Sequence, residues 1–150
     1  MELQSFSNSP QKSVAFQFRA GESNATLLLD GVFFGQRLAA IEMFDGQGVG
    51  SLKAYAAKKE MEALQPGRRY ELHIHVNMLN ESDVSIKAEV DGRPLVSWTG
   101  DSRRLSTYKD RLLPPTYHLS WEVSESKLII HESELFVKSG DAWVKPAEHK

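Results

Sequence analysis

The chain has no cysteine, which removes disulfides, thiolate nucleophiles and cysteine-based zinc sites together. Nor has it a long apolar run: clusters such as GVFFG fall far short of the roughly 20 residues that a membrane-spanning helix needs, so no membrane partner is expected. Basic excess is missing as well. The formal charge is −2 with both signs interleaved, which leaves no cationic stripe to displace counterions from phosphates and argues against nucleic acid as a partner. The opening MELQSFSNSPQK lacks a basic stretch followed by an apolar run, so no signal peptide is expected and the compartment is left open. Catalytic signatures are equally scarce. There is no Gly-x-Ser-x-Gly elbow, and DGQGVGS carries Gly46, Gly48 and Gly50 without the Lys-Ser/Thr of a phosphate loop.

What is present is a succession of short strands. SVAFQFRAG alternates Val14, Phe16 and Phe18 against Ala15, Gln17 and Arg19, while NATLLLDG and LAAIEMFDG are apolar runs that close on Asp30-Gly31 and Asp45-Gly46. YELHIHV sets Tyr70, Leu72, Ile74 and Val76 on one face, and VSIKAEV does the same with Val84, Ile86, Ala88 and Val90. Together with Leu95–Trp98 they form a meander joined through LNESD and VDGRPL. TYHLSWEV, KLIIH and ELFVK follow the Pro114-Pro115 break. Ala, Lys, Glu, Met and Leu in SLKAYAAKKEMEALQPG favour one short helix around 52–64, with an irregular loop as the alternative.

So many short strands must bury one face against another sheet, and the expected fold is an all-β, antiparallel two-sheet sandwich or jelly roll. A chain of 150 residues suits one domain, here 13–144. Residues 1–12 precede it and can contribute to a first strand; 145–150 form a polar tail.

The run VDGRPLVSWTGDSRRLS, Val90 to Ser106, resembles a segment of concanavalin A-like, laminin G-like jelly-roll modules common in planctomycete-type bacterial proteins. ALQPGRRYELHIHV upstream, VAFQFRAGESNATLLLDG before it, and IIHESELFVKSGDAW downstream are similar to further strands of those modules. TYHLSWEV stands where many of them have a glycine-rich Leu-Gly-Leu-Gly-x-Trp. The resemblance implies a concanavalin A-like jelly roll serving as an accessory module. Fold alone does not supply function.

Candidate sites are therefore weighed residue by residue. By alternation Glu71, His73, His75 and Asn77 share the face opposite the apolar set. His-x-His can begin a zinc site, but Glu71 or a neighbouring-strand side chain such as Glu89 supplies a third ligand only if the register cooperates. The other histidines complete no spacing, and no metal is assigned. The same row could read sugar hydroxyls beside an aromatic platform, or be an ordinary hydrated face. Trp98 joins that candidate set or the core according to hairpin register: a three-residue loop Asp91–Arg93 pairs it with Ile86 and turns it inward, and a loop of two or four residues turns it outward. Trp121 is expected in the core and Trp143 near the end as a cap or exposed aromatic. Asp30, Asp45, Asp91 and Asp101 each adjoin glycine, which suits turns; no twelve-residue calcium loop occurs.

Some concanavalin A-like folds are glycoside hydrolases, which need two carboxylates flanking a bond. Glu132 and Glu134 in HESEL are the nearest match, read more simply as a charged edge. The expected function is a non-catalytic binding or interaction module with no cofactor and no catalytic residues. Its ligand expectation is carbohydrate on the concave sheet through Glu71, His73, His75, Asn77 and Trp98. The alternative is a structural or protein-interaction module without small ligand, with a hydrolase behind both.

Overall fold

The computed structural model describes residues 1–6, 13–33, 36–49, 58–60, 64–114, 119–124 and 126–136. They form strands β1 (Glu2–Phe6), β2 (Ser13–Ala20), β3 (Ser23–Phe33), β4 (Gln36–Ile41), β5 (Met43–Phe44), β6 (Gln47–Gly48), β7 (Lys58–Glu60), β8 (Leu72–Met78), β9 (Asp83–Val90), β10 (Arg93–Asp101), β11 (Leu105–Ser106), β12 (Leu119–Ser124) and β13 (Ser126–Ile129). All pair antiparallel. One sheet runs β12-β2-β3-β4-β7 and a second runs β10-β9-β8, with the small groups β11-β5-β6 and β1-β13 beside them.

Two facing sheets make the core. Val14, Phe18, Ala25, Leu27, Leu29 and Ile41 from the five-stranded sheet meet Val84, Ile86, Ala88 and Val90 from β9, with Phe44 and Leu105 alongside. This is the all-β sandwich expected from the alternating pattern. Each fully buried Ile or Leu of that layer contributes about 1.5–3 kcal/mol from leaving water. The five-stranded sheet is also covered behind. Ala15, Leu28, Leu38, Ala40 and Val49 form a second apolar cluster, and Thr26 is fully buried there with its hydroxyl 2.8 Å from that of Thr107. A strand buried on both faces has no solvent side, which is why Leu27–Leu29 read as an unbroken apolar run.

Several local expectations are corrected. Asp30-Gly31 does not end a strand: β3 continues to Phe33 through an irregularity between Leu28 and Gly31. Asp30 is buried, and its carboxylate accepts from the Arg37 guanidinium and from the backbone N–H of Leu64, so it ties two segments together and makes no turn. Asp101, which follows Gly100, does serve a turn: it ends β10 and caps the 3-10 turn Ser102–Arg104 by accepting from the backbone N–H of Arg103. Asp45-Gly46 and Asp91-Gly92 do turn, with φ of 52° and 73° and of 51° and 72°.

Where a helix was expected around 52–64, Lys58–Glu60 form β7, paired with Ala40, Ala39 and Leu38. A sheet edge there outweighs helix propensity. The neighbouring 51–57 and 61–63 lie outside the described residues. KLIIH supplies β13, whose pairing with β1 ends at Ile129 opposite Glu2, whereas ELFVK is no strand as far as Phe136, and 137–138 lie outside the described residues. His118, Trp143 and His149 lie outside the described residues. Among the described residues no helix is long and apolar enough to cross a membrane.

Candidate functional site

Strand β8 carries most of the predicted row. It has no bulge: Leu72 to Met78 face Val90 to Val84 of β9 in unbroken register. His73, His75 and Asn77 are exposed on one face opposite Glu89, Lys87 and Ser85, and Glu71 lies just before the strand. The Nε2 atom of His73 is 2.9 Å from Oε1 of Glu71, and the two imidazole rings are 6.4 Å apart. Four of the five predicted residues thus share a surface.

Trp98 is not with them. The Asp91-Gly92 turn has two residues, which taken alone would send Trp98 outward, but a bulge between Pro94 and Val96 shifts the register by one. Leu95 and Val96 are consequently both buried, and Trp98 pairs with Ile86 and packs on the core with its ring centroid 4.9 Å from that of Phe44. The polar row has no aromatic platform from this residue. Among the described residues no group of three or more metal-ligating side chains converges. Glu132 and Glu134 are exposed in a non-strand segment, so alternation does not align their carboxylates.

The backbone of β8 is the more distinctive feature. At one end of the ladder the Asp91 N–H donates to the Glu71 carbonyl at 2.9 Å, and at the other the Leu79 N–H donates to the Asp83 carbonyl at 2.8 Å. Hydrogen-bonded pairs recur at every second residue of an antiparallel ladder. His73, His75 and Asn77 therefore bond to β9, while Leu72, Ile74, Val76 and Met78 direct their N–H and C=O groups to the opposite edge. Among the described residues nothing pairs with that edge along β8. One residue pair earlier it is in use: the Tyr70 N–H donates to the Met1 carbonyl and the Met1 amino group to the Tyr70 carbonyl, both at 2.7 Å.

On the face opposite the histidines the side chains of this strand are apolar and incompletely covered: Val76 and Met78 are each 38% exposed. Edge strands usually carry Lys, Pro or a bulge that prevents further pairing, and β8 has none of these.

A second feature was not anticipated. On the rear of the five-stranded sheet Gln17, Ser120 and Glu122 line a groove of about 450 Å³, walled by Asp110 and Leu112–Pro114. Gln17 Nε2 donates to Glu122 Oε2 at 2.8 Å. Trp121 borders the groove, but by alternation its ring points to the other face, where it meets Phe16 edge-on with centroids 5.1 Å apart. The polar alternation of Ser120 and Glu122 was legible in SWEV; their meeting with Gln17 depends on the long-range pairing of β12 with β2.

Comparison with protein-family models, curated proteins and solved structures finds no match to this chain. The site is therefore interpreted from its own geometry.

Proposed function

We propose that the chain is a non-catalytic interaction module that takes up an extended protein segment on the open edge of β8. The observation that carries this is the run of outward-facing backbone groups at Leu72, Ile74, Val76 and Met78 beside half-exposed apolar side chains. In strand addition the main-chain bonds supply affinity, and alternate side chains supply specificity. The resemblance to accessory modules of the concanavalin A-like, laminin G-like type is part of the same proposal.

The test is selection of random peptides on the wild-type chain and on Val76→Pro. Proline at this position removes an N–H that faces the open edge and leaves the β9 ladder its bonds. Peptides with alternating apolar residues should bind the wild type and lose at least tenfold on the variant. Equal binding to both proteins, or selection of no peptide by a chain that also stays monomeric, would discard the proposal.

Carbohydrate binding is a second reading, favoured by the groove of Gln17, Asp110, Ser120 and Glu122, whose donors and acceptors suit hydroxyl groups. Glycan-array binding that Glu122→Ala and Gln17→Ala both weaken would support it. An array without signal, with and without calcium, would remove it.

A further inference from the structure

We infer that the open edge of β8 pairs with the β8 edge of a second copy of this chain, joining two three-stranded sheets across a two-fold axis at His75. This rests on the strand-docking proposal above and names the occupant.

The stretch left unpaired among the described residues is bounded on both sides. Tyr70 is already bonded to Met1, and the strand ends at Met78, so the available run is Leu72–Met78. Its midpoint is His75. An antiparallel two-fold seam centred there places Ile74 opposite Val76 and Leu72 opposite Met78 of the second copy. These are the four residues whose backbone groups point outward, so each such pair is a hydrogen-bonded pair. As in any antiparallel seam with its axis on a residue, bonds and side chains are both in phase here, so the choice among such registers rests on the ends of the run.

Other two-fold registers fit less well. Moving the axis to Ile74 sets Met78 of the second copy against Tyr70, whose groups are taken by Met1. Moving it to Val76 puts Leu72 opposite Asn80, in the bend beyond the strand. At the His75 axis the half-exposed Val76 and Met78 gain apolar cross-strand neighbours, and on the other face His73 lies beside Asn77 of the second copy. No carboxylate faces a carboxylate and no lysine a lysine directly across the seam. The edge that meets Met1 at Tyr70 is the same edge extended, so the chain already bonds its own backbone there.

A seam of one strand is smaller than the ~1,200 Å² of a standard stable interface, so a weak dimer is expected, with Kd on the order of 100 μM.

Because the chain has no cysteine, one substitution can report the register. At the axis the two copies of residue 75 form a non-hydrogen-bonded pair with Cα atoms about 4.5 Å apart, within disulfide range. His75→Cys should cross-link into a dimer under mild oxidation. His73→Cys should not, because its two copies lie about 13 Å apart along the seam. The wild-type mass measured by sedimentation should rise toward two chains near 1 mM, and Val76→Pro should remain at one chain with an unchanged circular dichroism spectrum. Equal cross-linking of both cysteine variants, no cross-linking of His75→Cys, or a wild-type mass of one chain throughout would overturn the inference. Should the wild type stay monomeric while selected peptides still lose binding on Val76→Pro, the dimer fails and strand docking stands; if neither dimer nor peptide is found, both fail.

Discussion

His75 and Trp98 lie on opposite faces of one three-stranded sheet, because their partners on β9, Lys87 and Ile86, are sequence neighbours. Truncating them should have unlike effects. Trp98→Ala opens a space against Phe44 and should cost about 2–4 kcal/mol, while His75→Ala should change stability by no more than about 0.5 kcal/mol. Urea unfolding of both variants measures this. Equal losses would show that the two side chains do not face different environments.

Gly100 faces the same ring. A Cβ built there lies 2.7 Å from Cζ2 of Trp98, closer than non-bonded carbons approach. Gly100→Ala should force the indole off Phe44 and cost about 1–3 kcal/mol. The shift should be visible as altered tryptophan fluorescence, and a variant with wild-type emission and stability would contradict the packing described.

Asp30 joins β3 to Arg37 and to the backbone at Leu64. Its side chain is 1% exposed and that of Arg37 23%, so solvent relieves only part of the loss if the carboxylate is removed. Asp30→Ala should destabilise by about 3 kcal/mol, close to the cost of breaking a buried ion pair from one side. Asp30→Asn, which keeps an acceptor for one of the two donors, should lie between it and the wild type. Thermal unfolding of the three proteins checks that order.

The Asp101 carboxyl is held down to about 2 from 3.8, first by the Arg103 side-chain hydrogen bonds and then by the Arg103 backbone N–H. A lowered folded-state value means that the charged carboxylate is favoured on folding. Its contribution is present above 3.8 and is lost as pH falls through that value toward about 2. Carboxyl NMR of the folded chain should give the low midpoint, and Arg103→Gln should move it up toward the ordinary value. A midpoint unaffected by that substitution would remove Arg103 as the cause.

Legibility followed the range of the forces involved. VSIKAEV announced β9 because one face of the strand is core and the other polar, and all four of its apolar residues are buried. LHIHVNM announced that two histidines share an exposed face by the same alternation. The Lys58–Glu60 strand was hidden, since its local composition favours helix and its reason for being extended is the β4 edge. Asp30-Gly31 misled for a related reason: the residue pair is identical in type to Asp91-Gly92, but a guanidinium and a backbone N–H from elsewhere occupy the carboxylate.

By itself the sequence determined that this chain is an antiparallel β-sandwich, because alternation of apolar and polar residues leaves each strand one face that must leave water. Tertiary structure decided the rest. A bulge at Pro94–Val96 turned Trp98 away from the histidine row, and the pairing of β12 with β2 assembled the Gln17–Glu122 groove. Met1 closing on Tyr70 bounded the outer edge of Leu72–Met78, which has no partner among the described residues. Side-chain direction is a local property of a strand, with period two; which edge has a partner depends on segments distant in the chain, and no local pattern encodes it.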